Sequence, residues 1–139
     1  MRANQKMNGL LTDLRPHEPV LSAETERLFA GGFVEERGCV LLKSQAHNLA
    51  WTRMADLGDE TGIECFINHV HINSLPEALE LARRLRSALA DGFAGQFAVI
   101  VSFDGRGATV RFHRLRAGQV WLSDNLEEYP EGIAVLDSI

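Results

Sequence analysis

The residues best suited to chemistry lie in the segment ECFINHVHI, residues 64–72, which holds one cysteine and two histidines. Zinc in proteins is bound mainly by thiolate sulfur and imidazole nitrogen. If this segment is a strand, Cys65, His69 and His71 share one face, because side chains alternate along a strand. They would supply three ligands of a tetrahedral site. The spacing also fits histidines that only pack near a sheet rim, so we expect no metal and no cofactor, with these three residues as the alternative.

A histidine-dependent enzyme is a second alternative. His113 could act in acid–base chemistry together with His69 and His71 if the three side chains lined one concavity. The sequence contains no motif typical of a nucleophile elbow, a phosphate-binding loop or a zinc-dependent hydrolase. The glycine-rich run Asp104–Gly107 predicts a hairpin turn, because no helix follows it whose N-terminus could bind phosphate. We therefore expect no catalytic residues.

Local capping signals predict two helices that would help to position these residues. Ser22 precedes AETERLFA, with acidic residues in the first turn and glycines after the last, which is typical of a short helix. Ser74, followed by Pro76 and Glu77, indicates the start of a longer helix over about residues 75–91, in which Glu77 could close a capping box. The apolar stripe of that helix requires a surface to pack against.

Alternating and apolar stretches predict the strands. FAVIVSF and ATVRFHR, joined by an Asp-Gly turn, predict a β-hairpin with Val110 and Phe112 facing the core and Arg111 and His113 facing outward. FVEERGCVLLK predicts strand structure with a bulge or turn at Gly38. NLAWTRMADL fits both a strand and a helix, and we interpret it as a strand that pairs with ECFINHVHI across a GDETG turn. GIAVLDSI predicts the last strand.

These elements predict a single α+β domain: a mainly antiparallel sheet with the long helix packed on one face and a short N-terminal helix. A chain of 139 residues is long enough for one domain with its own core. Residues 21–139 would form this domain. Residues 1–20 are expected to be a flexible arm, since two prolines bracket a polar stretch near its end.

Composition and charge exclude some classes of function. Apolar residues make up 45% and charged residues 24% of the chain, as in ordinary folded proteins. No apolar stretch approaches the roughly 20 residues that a membrane span needs, so we expect a cytoplasmic protein without a membrane partner. The net charge of −5 argues against a net basic face, and we therefore expect no nucleic-acid partner.

The remaining class is protein binding, and the C-terminal segment carries its strongest signal. Residues 119–139 hold acidic side chains and no lysine or arginine. Aromatic side chains ringed by one sign of charge are typical of surfaces that bind an oppositely charged protein. With an acidic loop earlier in the chain, they define the predicted partner-binding residues: Trp121, Asp124, Glu127, Glu128, Tyr129, Glu131, Asp56, Asp59 and Glu60. The alternative is that Trp121 and Tyr129 are ordinary core and rim residues beside a solvated acidic turn.

The helix SLPEALELARRL, followed by FAVIVSFDG and VRFHRLRAGQVWLSDNLEEYPEGIAVLD, resembles the immunity proteins that bacteria encode beside contact-dependent growth inhibition toxins and other polymorphic toxins. The resemblance covers about the second half of the chain and carries over no functional residue by position. It implies a cytoplasmic inhibitor that binds tightly to a cognate toxin domain, often a basic nuclease. A homodimer or other homo-oligomeric structural subunit is the remaining alternative.

Overall fold

Antiparallel strands form the centre of the computed structural model, which describes residues 1–14 and 21–138. In chain order the strands of these ranges are β1 (Arg2–Ala3), β2 (Phe33–Glu36), β3 (Cys39–Leu42), β4 (Val70–Ile72), β5 (Phe97–Phe103), β6 (Ala108–Arg114) and β7 (Gly132–Ser138). Five of them form one antiparallel sheet in the order β1-β7-β5-β6-β4. The other two, β2 and β3, form a separate antiparallel hairpin. The chain is a single α+β domain, as the sequence predicts.

Helices surround the sheet. The α-helices of the described ranges are α1 (Gln5–Thr12), α2 (Ala23–Ala30), α3 (Met54–Leu57), α4 (Glu60–Ile67) and α5 (Leu75–Gly92). In the same ranges, 3-10 helices span Lys43–Trp51 and Leu126–Glu128. None of the helices in the described part of the chain is long and apolar enough to span a membrane.

The long helix α5 covers one face of the five-stranded sheet and encloses the main core with it. Its apolar stripe, including Leu85 and Leu89, packs against inward side chains of the sheet such as Phe97 and Phe112, all fully buried. The Ser74 hydroxyl accepts a hydrogen bond from the Glu77 amide at 3.3 Å, which confirms the predicted cap. Burial of this stripe stabilises the fold, since buried apolar area contributes about 25 cal/mol per Å².

Glu77 differs from the prediction in one respect. Its carboxylate does not close a capping box on Ser74 but accepts hydrogen bonds from the Ser22 amide and the Thr25 hydroxyl, both at 2.8 Å. Ser22 in turn caps α2, as predicted. The side chain of Glu77 therefore ties the N-terminus of α2 to the N-terminus of α5.

The β5–β6 hairpin is confirmed. Its register pairs Val101 with Val110, and the turn is held by Asp104, whose Oδ1 accepts hydrogen bonds from the amides of Arg106 and Gly107 at 2.8 and 3.0 Å. The β2–β3 hairpin also forms where strand structure was predicted. Its turn lies at Arg37 and Gly38, which both have positive φ.

Two predicted strands are wrong. NLAWTRMADL forms the end of the first 3-10 helix and then α3. The first four residues of ECFINHVHI belong to α4, so that only Val70–Ile72 is a strand. Asp59 accepts a hydrogen bond from the Gly62 amide at 2.8 Å and caps α4, so GDETG starts a helix instead of forming a turn. A Cβ on Gly62 would lie 2.2 Å from the carbonyl oxygen of Leu57, so the junction between α3 and α4 requires glycine.

The N-terminal residues pack on the domain where a flexible arm was expected. Strand β1 pairs with β7, and Met7 in α1 is fully buried in the main core. Asn4 joins the two elements and is itself buried. Residues 15–20, the rest of the expected arm, lie outside the described residues.

Candidate functional site

The second face of the five-stranded sheet is covered by the chain itself. After β6, residues 115–131, here called the cover segment, pass over β5 and β7 and lead back into β7. Leu126 of this segment is buried on Ala98, Ile100, Ile133 and Val135. The alternation in β6 does place Val110 and Phe112 in the core. The opposite face, however, is partly enclosed by the cover segment.

A cleft of about 160 Å³ lies between the cover segment and the sheet. Its floor is formed by sheet residues, Ala98, Ile100, His113 and Val135. Arg2 of the edge strand lines one side. The remaining lining residues all belong to the cover segment: Leu115, Gln119, Val120, Trp121, Leu122, Ser123, Asp124 and Leu126. The walls are mostly apolar with a few polar groups, which is the usual character of a binding cleft.

His113 is the buried polar group of the cleft floor. It was predicted to face outward, but only 6% of it is exposed, because the cover segment lies over this part of β6. Its Nδ1 lies 2.9 Å from the carbonyl oxygen of Arg114. A carbonyl only accepts, so Nδ1 carries the proton in the neutral ring and Nε2 has the lone pair. Burial lowers the pKa of His113, while the Arg114 carbonyl acts in the opposite direction.

Exposed apolar side chains form the rim of the cleft. Leu115 is 43% exposed, Val120 73% and Trp121 39%. The guanidinium of Arg111 lies over the Trp121 ring, 5.3 Å from its centroid, and a cation in this position is attracted by the ring. The indole therefore has a defined position, with part of its surface open to solvent.

Gln119 fixes the cover segment to the start of α4. Its side-chain oxygen accepts hydrogen bonds from the Thr61 amide at 3.2 Å and the Thr61 hydroxyl at 2.8 Å. Its side-chain nitrogen donates to the Glu60 carboxylate at 2.8 Å. Gln119 therefore connects the start of α4, including Glu60, to the segment that lines the cleft, although these residues are far apart in sequence.

Glu64, one turn further along α4, is fully buried and joins three elements. Its carboxylate accepts hydrogen bonds from the amides of Val40 in β3, at 2.7 Å, and Arg114 at the end of β6, at 2.9 Å. It also forms an ion pair with Arg116 at 2.7 Å. Sequence analysis missed this carboxylate. The available signal was the Asp59 cap, which predicts a helix and hence a different face for Glu64.

Asn68 continues the same line of buried polar contacts. Its side chain accepts from the Leu42 amide and donates to the Val40 carbonyl, both at 2.9 Å, and lies 3.4 Å from the Phe112 carbonyl. Glu64 and Asn68 therefore hold the β2–β3 hairpin beside β6. They organise the structure around the site and do not line the cleft.

The structure places the predicted partner-binding residues in different environments. Trp121 and Asp124 line the cleft, and Glu128 and Asp56 are exposed. Three others have structural contacts: Asp59 caps α4, the Glu127 carboxylate accepts from the Gln5 amide at 3.0 Å, and the Tyr129 hydroxyl accepts from the Ser123 amide at 2.9 Å. Glu60 contacts Gln119, and the backbone carbonyl of Glu131 accepts from Asn4.

The described structure does not group Cys65, His69 and His71, the residues of the alternative metal site, as a set of metal ligands. Cys65 is buried in α4, where burial raises the pKa of its thiol well above the usual range. The rings of His69 and His71 are 5.1 Å apart, and Nδ1 of His69 contacts the Phe66 carbonyl oxygen. In the described part of the chain, no group of three or more His, Cys, Asp or Glu side chains is placed to hold a metal ion.

The alternative histidine-dependent enzyme also lacks its expected geometry. His113 lines the cleft, and neither of the other two histidines belongs to the lining. His71 pairs with Thr109 near the opposite end of β6, four residues from His113. At about 3.3 Å of rise per residue, this separation along the strand is about 13 Å.

The fold and the site define a small α+β domain whose sheet is packed under a long helix on one face and under its own C-terminal segment on the other. The chain belongs to the Uncharacterized protein PM0498 family, whose model matches residues 2–139. No curated protein and no solved structure matches the chain. The resemblance to immunity proteins stays a prediction.

Proposed function

We propose that the protein is a cytoplasmic protein-binding module of the immunity type, which inhibits a basic toxin domain by binding it through the rim of the cleft. One observation carries this proposal. Half of the large hydrophobic side chains that are exposed in the described ranges, Leu115, Val120 and Trp121, line a single cleft. Exposed apolar side chains grouped in this way are typical of interaction sites.

Charge supports a basic partner. The protein has a net charge of −5, and no lysine or arginine follows Arg116. Asp124 at the cleft and Glu128 nearby in sequence are exposed, so their carboxylates are available to attract a positive surface. Complementary charge mainly raises the association rate, whereas an aromatic residue that becomes buried in the complex, here Trp121, supplies most of the affinity.

The test compares two exposed tryptophans. The tagged protein is co-expressed with the product of the adjacent reading frame, and binding is measured by calorimetry. A central tryptophan often contributes 2 kcal/mol or more, so we expect Trp121→Ala to weaken the complex about 30-fold or more. Trp51, which is 84% exposed and does not line the cleft, provides the matched control, and Trp51→Ala should leave the affinity unchanged.

Three outcomes would contradict the proposal. Absence of binding by the adjacent gene product would remove the immunity-type role. Equal affinities of the Trp121→Ala variant and the unmodified protein would remove the rim from the interface. Sedimentation at several concentrations tests the remaining alternative, a homodimer formed through the rim. Such a homodimer would form in the absence of a second protein, and the Trp121→Ala substitution would dissociate it.

A further inference from the structure

The floor of the cleft presents one hydrogen-bond acceptor. His113 is more than nine-tenths buried, and its Nδ1 is engaged by the Arg114 carbonyl. The described residues make no hydrogen bond to its Nε2, the nitrogen with the lone pair in the neutral ring. Among the described residues, the buried side-chain nitrogen or oxygen without a partner is Nε of Arg114, so Nε2 of His113 keeps some access to the cleft. A donor on an occupant of the cleft can therefore reach this acceptor.

The charged groups of the cleft favour a cationic occupant. Two charged side chains line it, Arg2 and Asp124. Arg2 is already paired with Asp137 of β7 at 3.5 Å. The exposed Asp124 carboxylate forms no ion pair with the described residues, so it is the uncompensated charge at the cleft.

The size and walls of the cleft limit the occupant to one side chain. A volume of about 160 Å³ corresponds to roughly five molecules of liquid water, or to one group of the size of benzene. Ile100, Val120 and Trp121 offer apolar contact along the sides. A side chain with an apolar stem and a hydrogen-bond donor at its tip matches both features.

We propose that the cleft receives a lysine or arginine side chain of the partner, whose tip donates a hydrogen bond to Nε2 of His113 while Asp124 balances its charge. This inference rests on the proposed function, since it names the group through which a basic partner would be recognised. The stem of the lysine or arginine packs against Trp121. The guanidinium of Arg111 contacts the same indole, so the incoming stem uses the part of the ring that faces the cleft.

The experiment uses small probes and needs no partner. Nα-acetyl-lysine amide and Nα-acetyl-arginine amide, whose side chains keep their charge, are titrated into the full-length, ¹⁵N-labelled protein. N-acetyl-norleucine amide, which has an apolar stem without the cation, provides the matched control. Long-range ¹H–¹⁵N spectra follow the ring nitrogens of His113 and the indole N–H of Trp121. We expect saturable shifts at both sites with the two basic probes, in the millimolar range, and several-fold weaker binding of the norleucine probe.

Two variants test the assigned roles. In His113→Phe, the preference for basic probes over norleucine should disappear, because the acceptor is gone while a ring remains. Asp124→Asn changes an exposed side chain and should weaken the basic probes several-fold without altering the norleucine probe. If the His113→Phe variant does not fold, the Asp124→Asn variant still tests the proposal.

Acidification provides a further readout. Protonation turns Nε2 of His113 into a donor, so basic probes should bind more weakly at acidic pH, and this loss should be absent in His113→Phe. The charged groups that act on His113 from the surrounding elements are Glu64 of α4, Asp59 at the N-cap of α4, and Arg116. Arg2 and Asp124 line the same cleft. Burial lowers the pKa of His113, which favours the neutral ring and keeps the acceptor at Nε2.

Equal shifts with all three probes, or an unchanged His113 signal at saturating basic probe, would overturn this inference. If that result occurs while Trp121→Ala still weakens the partner complex, only the assignment of the occupant fails. If the basic probes bind as expected and the adjacent gene product does not bind, the immunity-type role fails and the cleft's preference for a cationic side chain stands.

Discussion

Glu64 connects several elements of the protein from a fully buried position. Glu64 accepts from two backbone amides on different strands and pairs with Arg116. Removing one partner of a buried ion pair leaves an uncompensated charge, whereas an exposed pair contributes little. The position of the cover segment depends on this contact, because Arg116 lies at its beginning and Gln119 is held three residues later.

We therefore expect Glu64→Ala to lower the free energy of unfolding by about 3–5 kcal/mol, since it removes the buried carboxylate that pairs with Arg116 and accepts from the amides of Val40 and Arg114. Urea denaturation followed by circular dichroism measures the change. The exposed Glu128 provides the control, and Glu128→Ala should leave the denaturation midpoint nearly unchanged. Equal midpoints for the two variants would show that the buried network contributes little to stability.

At the scale of elements, the N-terminus belongs to the sheet. The buried Asn4 side chain accepts from the amides of Met7 and Ile133, at 2.9 and 3.0 Å, and so caps α1 while holding β7. Its nitrogen donates to the carbonyls of Leu126 and Glu131, at 3.1 and 2.9 Å. One amide side chain thus connects the first helix, the last strand and the end of the cover segment.

Asn4→Ala should destabilise the protein by about 2–4 kcal/mol, because four backbone groups lose a partner and three of these hydrogen bonds are buried. Hydrogen exchange should accelerate first at Met7 and Ile133, whose amides Asn4 holds. The matched control is Asn8→Ala on the exposed side of α1, which should be neutral or slightly stabilising because alanine favours helices. Unchanged exchange at both amides in Asn4→Ala would mean that the N-terminal elements do not depend on this residue.

At the scale of the whole molecule, the acidic charge is divided between structural and free carboxylates. Asp59 and Glu127 are engaged by backbone amides of α4 and α1. Asp124 and Glu128 are exposed. A charge-reversal experiment must therefore use the second pair, because reversing Glu127 would disturb the N-terminus of α1 as well as the surface.

The double variant Asp124→Lys/Glu128→Lys should slow association with the basic partner by about 10-fold or more at low salt, and the difference should shrink as salt is added. Stopped-flow kinetics at several ionic strengths measures this. Glu24→Lys/Glu36→Lys changes the net charge equally at exposed sites on α2 and β2 and should have a smaller effect. Equal slowing by both double variants would indicate steering by net charge alone, with no local role for the cover segment.

Much of the fold could be predicted from local signals. The Ser74 cap and the apolar stripe predict α5, and the Asp104-Gly105 turn between two alternating stretches predicts the β5–β6 hairpin. These features depend on residues that are close in sequence. The segment around Cys65 could not be assigned by period alone, since a short apolar run fits a buried helix as well as a strand. The candidate site was predicted in part, at Trp121 and Asp124.

The sequence by itself determined the α+β class, the long helix, the central hairpin and the acidic character of the C-terminal segment. Helix capping, apolar alternation and local charge depend only on residues that are close in sequence. Only the tertiary structure decided that Glu64 is buried, that Asn4 joins both ends of the chain, and that His113 lies at the floor of a cleft. Glu64 contacts Arg114 and Arg116, 50 and 52 positions away in sequence, and Asn4 contacts Leu126, Glu131 and Ile133, 122 to 129 positions away. Local sequence carries no record of such contacts, since the chain must first fold to create them.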